Sequence, residues 1–199
     1  MLGIIDILRR KRLKKDMRHD ERKIYPVYKN LRSIIFFYYL ETPEDIGILD
    51  RCCEIFKNHR LNYTGFAYAK KKKIMMSARQ SIKYDITIFG NRAVTLLGIP
   101  KQWFTAQFAD KKYDLLINFN DKPDYTIKYL AATIDTSFTV AMREERDIRY
   151  DMIISGPEGA MLGKGEFADQ VCHYLKSISS APYSPLHETK REKGGEDEG

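Results

Sequence analysis

Short runs of β-branched and aromatic residues recur along the chain, separated by longer amphipathic segments. The clearest run is Ser33–Leu40, which is apolar on both alternating faces. Such a pattern is typical of a strand inside a parallel sheet that helices cover on both sides. Further strands are predicted at Leu61–Ala69, Tyr84–Phe89, Tyr113–Phe119, Ser137–Met142 and Tyr150–Ser155.

The segments between these runs predict helices. One is expected to begin with Thr42 as its N-cap and Pro43 at the first helical position, and to end at about His59. Others are predicted at Gln102–Asp110, Asp124–Ile134 and Glu166–Ile178, with Trp103, Phe104 and Phe108 in the core. We therefore predict an α/β fold: a mostly parallel, Rossmann-like or flavodoxin-like sheet of about five to six strands with helices on both faces.

A basic helix is predicted ahead of the first strand. Ile5, Leu8 and Leu13 recur at roughly helical spacing between basic residues, and Pro26 is expected to end the helix at or before Tyr25. The length of 199 residues suits one domain with extensions. The predicted organisation is a basic amphipathic N-terminal helix over residues 1–32, a single α/β domain over residues 33–179 and a disordered charged tail over residues 180–199.

The net charge of +7 comes entirely from the N-terminal segment. Residues 1–32 hold eleven Lys and Arg against four Asp and Glu, whereas residues 33–199 hold 23 of each. The charge therefore describes the N-terminal helix and says little about the globular body.

This helix suggests polyanion binding, with RNA or the ribosome as the partner, because clustered cations release counterions from nucleic acid. The contact residues would be Arg9, Arg10, Lys11, Arg12, Lys14, Lys15 and Arg18. One alternative is a peripheral membrane protein, anchored in an anionic lipid surface by Leu2, Ile4, Ile5, Ile7 and Leu8. Another is a solvated helix that packs one face on the body of the domain.

A possible phosphate site is the glycine-rich loop before the last helix, where Gly163, Lys164 and Gly165 would hold a nucleotide or sugar nucleotide. The loop departs from a P-loop, because Gly165 stands where Ser or Thr is required. A shallow site is also possible at the expected carboxyl ends of the strands. Its polar residues would be Glu41, Thr42, Gly90, Asn91, Asn120, Asp121, Ser155 and Gly156.

The sequence carries no recognisable catalytic or metal-binding motif, so no cofactor and no metal are predicted and a non-enzymatic role is favoured. Asp114 and Asp151 begin predicted strands, away from the carboxyl ends where ligands gather in doubly wound sheets. The cysteines are expected to be buried free thiols: Cys52, Cys53 and Cys172. With no transmembrane segment or secretory signal, we expect a cytoplasmic protein that is either free or peripheral to the inner face of the membrane.

The stretch Tyr113–Met142, the basic N-terminal segment and the Gly98-Ile99-Pro100-Lys101 loop together resemble an uncharacterised family of short bacterial proteins, a domain of unknown function. The resemblance covers roughly residues 1–178 and implies no activity. Tyr113–Met142 also looks like the strand–helix–strand of the amino-terminal domain in heptosyltransferase-like glycosyltransferases. That likeness implies the fold alone, because those enzymes place much of the nucleotide-sugar site in a second domain that this chain is expected to lack.

Overall fold

Six parallel strands form the central sheet. The computed structural model describes residues 3–17 and 28–180. The sheet consists of β1 (Ile34–Leu40), β2 (Tyr63–Ala69), β3 (Ile86–Phe89), β5 (Leu115–Phe119), β7 (Thr139–Ala141) and β8 (Met152–Ile153), and the short strands β4 (Lys112–Tyr113) and β6 (Asp135–Thr136) pair separately. All neighbours in the order β3-β2-β1-β5-β7-β8 are parallel, which confirms the predicted sheet and gives it Rossmann-like strand order.

Helices cover both faces of this sheet, as predicted. They are α1 (Ile4–Asp16), α2 (Glu44–Asn58), α3 (Lys72–Ser81), α4 (Gln102–Thr105), α5 (Tyr125–Thr133) and α6 (Lys164–Ser180). α2, α3 and α6 pack on one face, α4 and α5 pack on the other, and α1 packs against α5. No helix in the described ranges combines the length and the apolar character needed to cross a membrane.

The central strand β1 is buried along its whole length. Phe36 and Tyr38 point into the layer that contains α2 and α6, whereas Phe37 points into the layer that contains α4 and α5. This alternation follows from the two-residue repeat of a strand. A strand with two apolar faces needs cover on both sides, so β1 determines the three-layer architecture.

Two aspartates join the amino ends of neighbouring strands. Asp114 Oδ2 accepts hydrogen bonds from the backbone N–H groups of Arg32 and Ser33, ahead of β1, at 2.8 and 2.9 Å. Asp151 Oδ2 accepts from the backbone N–H and the hydroxyl of Thr139, at the start of β7, at 2.9 and 2.8 Å. Both carboxylates lie at the amino end of the sheet, as expected, and both bind backbone donors there.

The predicted N-terminal helix does not continue through Met17. α1 ends at Asp16 because Met17 adopts extended backbone angles, φ −63° and ψ 129°, so the predicted continuation to about Tyr25 is wrong at this residue. Residues 18–27 and the predicted disordered tail beyond Ser180 lie outside the described part of the chain.

Three local features of the domain differ from the predictions. α3 was not among the predicted helices; Ile74 and Ala78 form its buried stripe. Trp103 is 61% exposed instead of buried. Thr42 does not cap α2, because its hydroxyl donates to Asp45 inside the first turn.

Candidate functional site

α1 is fixed to the domain along one side. Leu13 is buried in a cluster with Tyr129 and Ala132 of α5. Arg9 Nε donates to the carbonyl oxygen of Leu97 at 2.9 Å, and the carbonyl oxygen of Arg9 accepts a hydrogen bond from the hydroxyl of Tyr125 at 2.7 Å. These contacts determine which side of α1 faces outward.

The packing of α1 divides the seven basic residues that were predicted to bind polyanions. Besides Arg9, two arginines have acidic partners: Arg10 Nε lies 3.5 Å from Asp147 Oδ2, and Arg12 pairs with Asp16. The exposed lysines, which form no ion pair with another described residue, are Lys11, Lys14 and Lys15. Arg18 lies outside the described residues.

The free side of α1 carries aliphatic as well as basic residues. Since successive helical residues turn by about 100°, Leu8 and Lys11 lie on the side opposite the buried Leu13. We call this side the outward face of α1; it consists of Ile4, Ile7, Leu8, Lys11, Lys14 and Lys15. The aliphatic side chains of this face are exposed to solvent: Ile4 is 78% exposed and Leu8 is 47% exposed. Aliphatic residues occupy the first half of this face and lysines the second half.

A buried lysine occupies the crevice between the carboxyl ends of β1 and β5, on the side of α2 and α6. Here the strand order reverses, and open α/β sheets commonly bind ligands at this point. Lys164 Nζ donates to Asp45 Oδ1 at 2.8 Å and to the carbonyl oxygen of Tyr39 at 3.0 Å. Asp121 Oδ1 lies 3.4 Å from the same nitrogen but makes no hydrogen bond with a described residue. The charge of Lys164 is thus directed into the protein.

The phosphate site predicted from the glycine-rich loop falls at this crevice. Lys164 is the first residue of α6, Gly163 is exposed ahead of it, and Gly165 is buried near Arg51. A phosphate would have to displace Asp45 to reach the Lys164 ammonium. Phosphate binding by Gly163, Lys164 and Gly165 stays a prediction. In the structure, Lys164 forms a buried ion pair with Asp45.

A second polar network lies near the carboxyl end of β5 on the opposite face of the sheet. Asn118 Nδ2 donates to the hydroxyl of Tyr150 at 2.7 Å and to Glu145 Oε1 at 3.2 Å. Burial raises the pKa of Glu145, which also lines a cavity of about 450 Å³ beneath α1. Glu145 was not singled out from the sequence, because it follows β7 in an irregular segment without a motif. Tyr150 was predicted only as the first residue of a strand.

The cysteines offer no reactive site. Cys52, Cys53 and Cys172 are buried and free, as expected. Burial raises the pKa of the Cys53 thiol to about 11 and that of the Cys172 thiol to about 12, so both stay protonated near neutral pH. Within residues 3–17 and 28–180, no three His, Cys, Asp or Glu side chains group as a metal site would require.

Comparison with known proteins gives a family but no activity. A model described as a family of unknown function (DUF6913) matches residues 6–178. No curated protein and no solved structure matches the chain. The matched range includes most of α1 together with the whole sheet. It confirms the resemblance to an uncharacterised domain, whereas the bacterial origin and the likeness to heptosyltransferases stay predictions.

Proposed function

The chain belongs to this family of unknown function, and we propose that it is a binding domain that docks on an acidic membrane face through the outward face of α1. One observation carries the proposal. Exposed aliphatic and exposed basic side chains share one side of a helix whose other side is packed against the domain. A lipid surface offers both an apolar phase and negative charge.

The lysines of the outward face supply the electrostatic part of the binding. A lysine near an acidic lipid surface contributes about 1 kcal/mol, so Lys11, Lys14 and Lys15 together contribute about 3 kcal/mol at low salt. Arg10 and Arg12 contribute less than their position in the sequence suggests, because each already has an acidic partner in the protein.

The aliphatic residues favour lipid over RNA or the ribosome. Phosphate contacts with nucleic acid would engage the lysines and leave Ile4, Ile7 and Leu8 exposed to water. Insertion into the boundary between headgroups and acyl chains removes the same side chains from water, and burial is favourable by about 25 cal/mol per Å² of apolar surface. The expected cytoplasmic location is consistent with this choice, because the cytoplasmic leaflet carries acidic lipids.

The docked position of α1 makes this binding efficient. Because Leu13 and Arg9 hold the helix against α5, the outward face is formed before the membrane is met. A free peptide would lose conformational entropy when it folded into a helix on the membrane, and this loss would weaken its binding.

Co-sedimentation of the full chain tests the proposal. Phosphatidylcholine vesicles with and without phosphatidylglycerol, and ribosomes in parallel, are compared at about 0.1 M and about 1 M salt, where the screening length falls from about 10 to about 3 Å. We expect sedimentation with the acidic vesicles only, partly retained at high salt.

Three triple variants separate the contributions. Lys11→Gln/Lys14→Gln/Lys15→Gln should abolish binding at low salt, and Ile4→Ser/Ile7→Ser/Leu8→Ser should abolish the salt-resistant part. The matched control, Lys57→Gln/Lys71→Gln/Lys73→Gln, neutralises exposed lysines elsewhere and should bind normally. Sedimentation with ribosomes alone, unchanged in the aliphatic variant, would identify the partner as RNA and overturn the proposal.

A further inference from the structure

Two cavities meet at the carboxyl ends of β2 and β3. One has a volume of about 660 Å³ and mostly apolar walls, and the other has a volume of about 700 Å³ and more polar walls. Lys70, which follows β2, and Asn91, which follows β3, line both of them. The cavities therefore adjoin each other at the carboxyl end of the sheet, which is the end at which α/β folds bind ligands.

The apolar cavity offers a surface for a flat group. Phe89 and Phe104 are buried in its wall, while Trp103 and Met76 are 61% and 50% exposed. Gly90 leaves room for this arrangement, because a Cβ there would lie 2.8 Å from the sulfur of Met75. An exposed indole next to buried aromatic rings is suited to stacking or edge contact with a planar ligand group.

The polar cavity offers positive charge. Its single acid, Asp124, is already bound: Oδ2 lies 2.7 Å from Lys70 Nζ, and Oδ1 accepts the backbone N–H of Ile127 at 3.1 Å. Arg9 and Lys101 line the same cavity. Lys101 has no acidic partner among the described residues. Arg9 pairs with Asp6 through Nη1 at 3.9 Å and donates from Nε to the carbonyl oxygen of Leu97. Lys101 therefore offers a full ammonium to an anionic group, and Arg9 offers its remaining guanidinium N–H groups.

Asn91 is held at the boundary between the two cavities. Its Oδ1 accepts the hydroxyl of Tyr68 at 3.0 Å, and its Nδ2 donates to the carbonyl oxygen of Lys70 at 3.2 Å. These bonds hold the end of β3 against the end of β2. These two bonds give the boundary a defined shape, and a preformed site reduces the cost of binding.

We propose that the joined cavities bind a nucleotide, with the base against Trp103 and the phosphates between Lys101 and Arg9. A flat apolar group linked to an anion matches an aromatic cavity that opens into a cationic one, and each volume lies in the range of small-molecule sites. This site is distinct from the outward face of α1 and from the glycine-rich loop before α6.

Tryptophan fluorescence of the full chain tests this proposal directly, because Trp103 is its sole tryptophan. The probes are ATP, GTP, CTP and UTP, together with adenosine, uridine and inorganic phosphate. We expect at least one nucleoside triphosphate to change the fluorescence saturably, and its nucleoside to bind at least about tenfold more weakly. No saturable change with any triphosphate at millimolar concentration overturns the proposal.

Two variants test which residue contacts the phosphates of the ligand and which contacts its base. Lys101→Met should weaken binding of the triphosphate by about tenfold and leave binding of the nucleoside unchanged, because the substitution removes one phosphate contact. Trp103→Ala, followed by calorimetry, should weaken both, and its exposed position leaves folding intact. Lys111→Met is the matched control for the lysine and should bind normally. Triphosphate binding that neither Lys101→Met nor Trp103→Ala alters would also overturn the assignment.

Discussion

Lys164 Nζ lies 2.8 Å from Asp45 Oδ1, and this ion pair connects the first residue of α6 to the first turn of α2. Asp45 Oδ2 also accepts the backbone N–H groups of Glu41 and Thr42, both at 2.9 Å. Burial alone would raise the pKa of Asp45, but the hydrogen bonds from Lys164 and the backbone outweigh it and lower that pKa. The pair therefore stabilises the carboxyl end of β1.

Replacement of Lys164 by Met should destabilise the protein by about 3 kcal/mol, because it leaves the Asp45 carboxylate buried without its cation. Since the pKa of Asp45 is lowered in the folded state, its stabilising effect is present above the unfolded pKa and is lost as the pH falls through the folded pKa. Urea unfolding from neutral to acidic pH should show a smaller acid dependence in Lys164→Met. If Lys164→Met lowered the free energy of unfolding by less than about 0.5 kcal/mol, which is the effect expected of an exposed substitution such as Lys57→Met, this role would be contradicted.

Asp114→Ala should cost about 1–3 kcal/mol, because it leaves the backbone donors of Arg32 and Ser33 without their acceptor. Burial alone would raise the pKa of Asp114, but these hydrogen bonds outweigh burial and lower that pKa in the folded protein. The stabilisation by Asp114 is therefore also lost as the pH falls through its folded pKa. Asp85→Ala is the matched control: Asp85 follows a tyrosine in the same way, is exposed, and has no hydrogen bond within the described part of the chain. Equal effects of the two variants in chemical denaturation would show that Asp114 has no special role.

Two glycine substitutions should have opposite signs. At Gly65 in β2 a Cβ would lie 2.4 Å from Ile86 Cδ1 and from Phe36 Cζ, so Gly65→Ala should destabilise by about 1–3 kcal/mol. At Gly47 in α2 a Cβ meets nothing within 4 Å, so Gly47→Ala should stabilise by about 0.5–1 kcal/mol. Thermal unfolding of both variants measures the difference, and a stable Gly65→Ala protein would contradict the packing described here.

The sheet could be predicted because its strands are rich in β-branched and aromatic residues, as Ser33–Leu40 illustrates, and because amphipathic helices separate them. α3 was missed because the lysines at its start mask the short stripe formed by Ile74 and Ala78. β8 is only two residues long, although the flanking Asp151 and Ile154 each donate a backbone hydrogen bond to β7. Local pattern therefore predicts the elements better than their boundaries.

The candidate sites were harder to predict, because they depend on contacts between distant parts of the chain. Lys164 resembled a phosphate ligand in its glycine-rich loop, yet its partner Asp45 lies 119 residues away. Helical periodicity did not identify the packed side of α1, which the contact of Leu13 with α5 determines. Trp103 was assigned to the core because aromatic residues are usually buried there, and no local signal marked it as a cavity wall.

The central claim, that the outward face of α1 enters an acidic membrane, is tested most directly by a tryptophan placed on that face. In the full chain carrying Trp103→Phe and Ile7→Trp, the single indole reports the surroundings of the outward face. We predict a blue shift of its emission with vesicles that contain phosphatidylglycerol, partly retained at about 1 M salt, and none with phosphatidylcholine alone. An emission maximum unchanged by acidic vesicles, or shifted only by ribosomes, would contradict the claim.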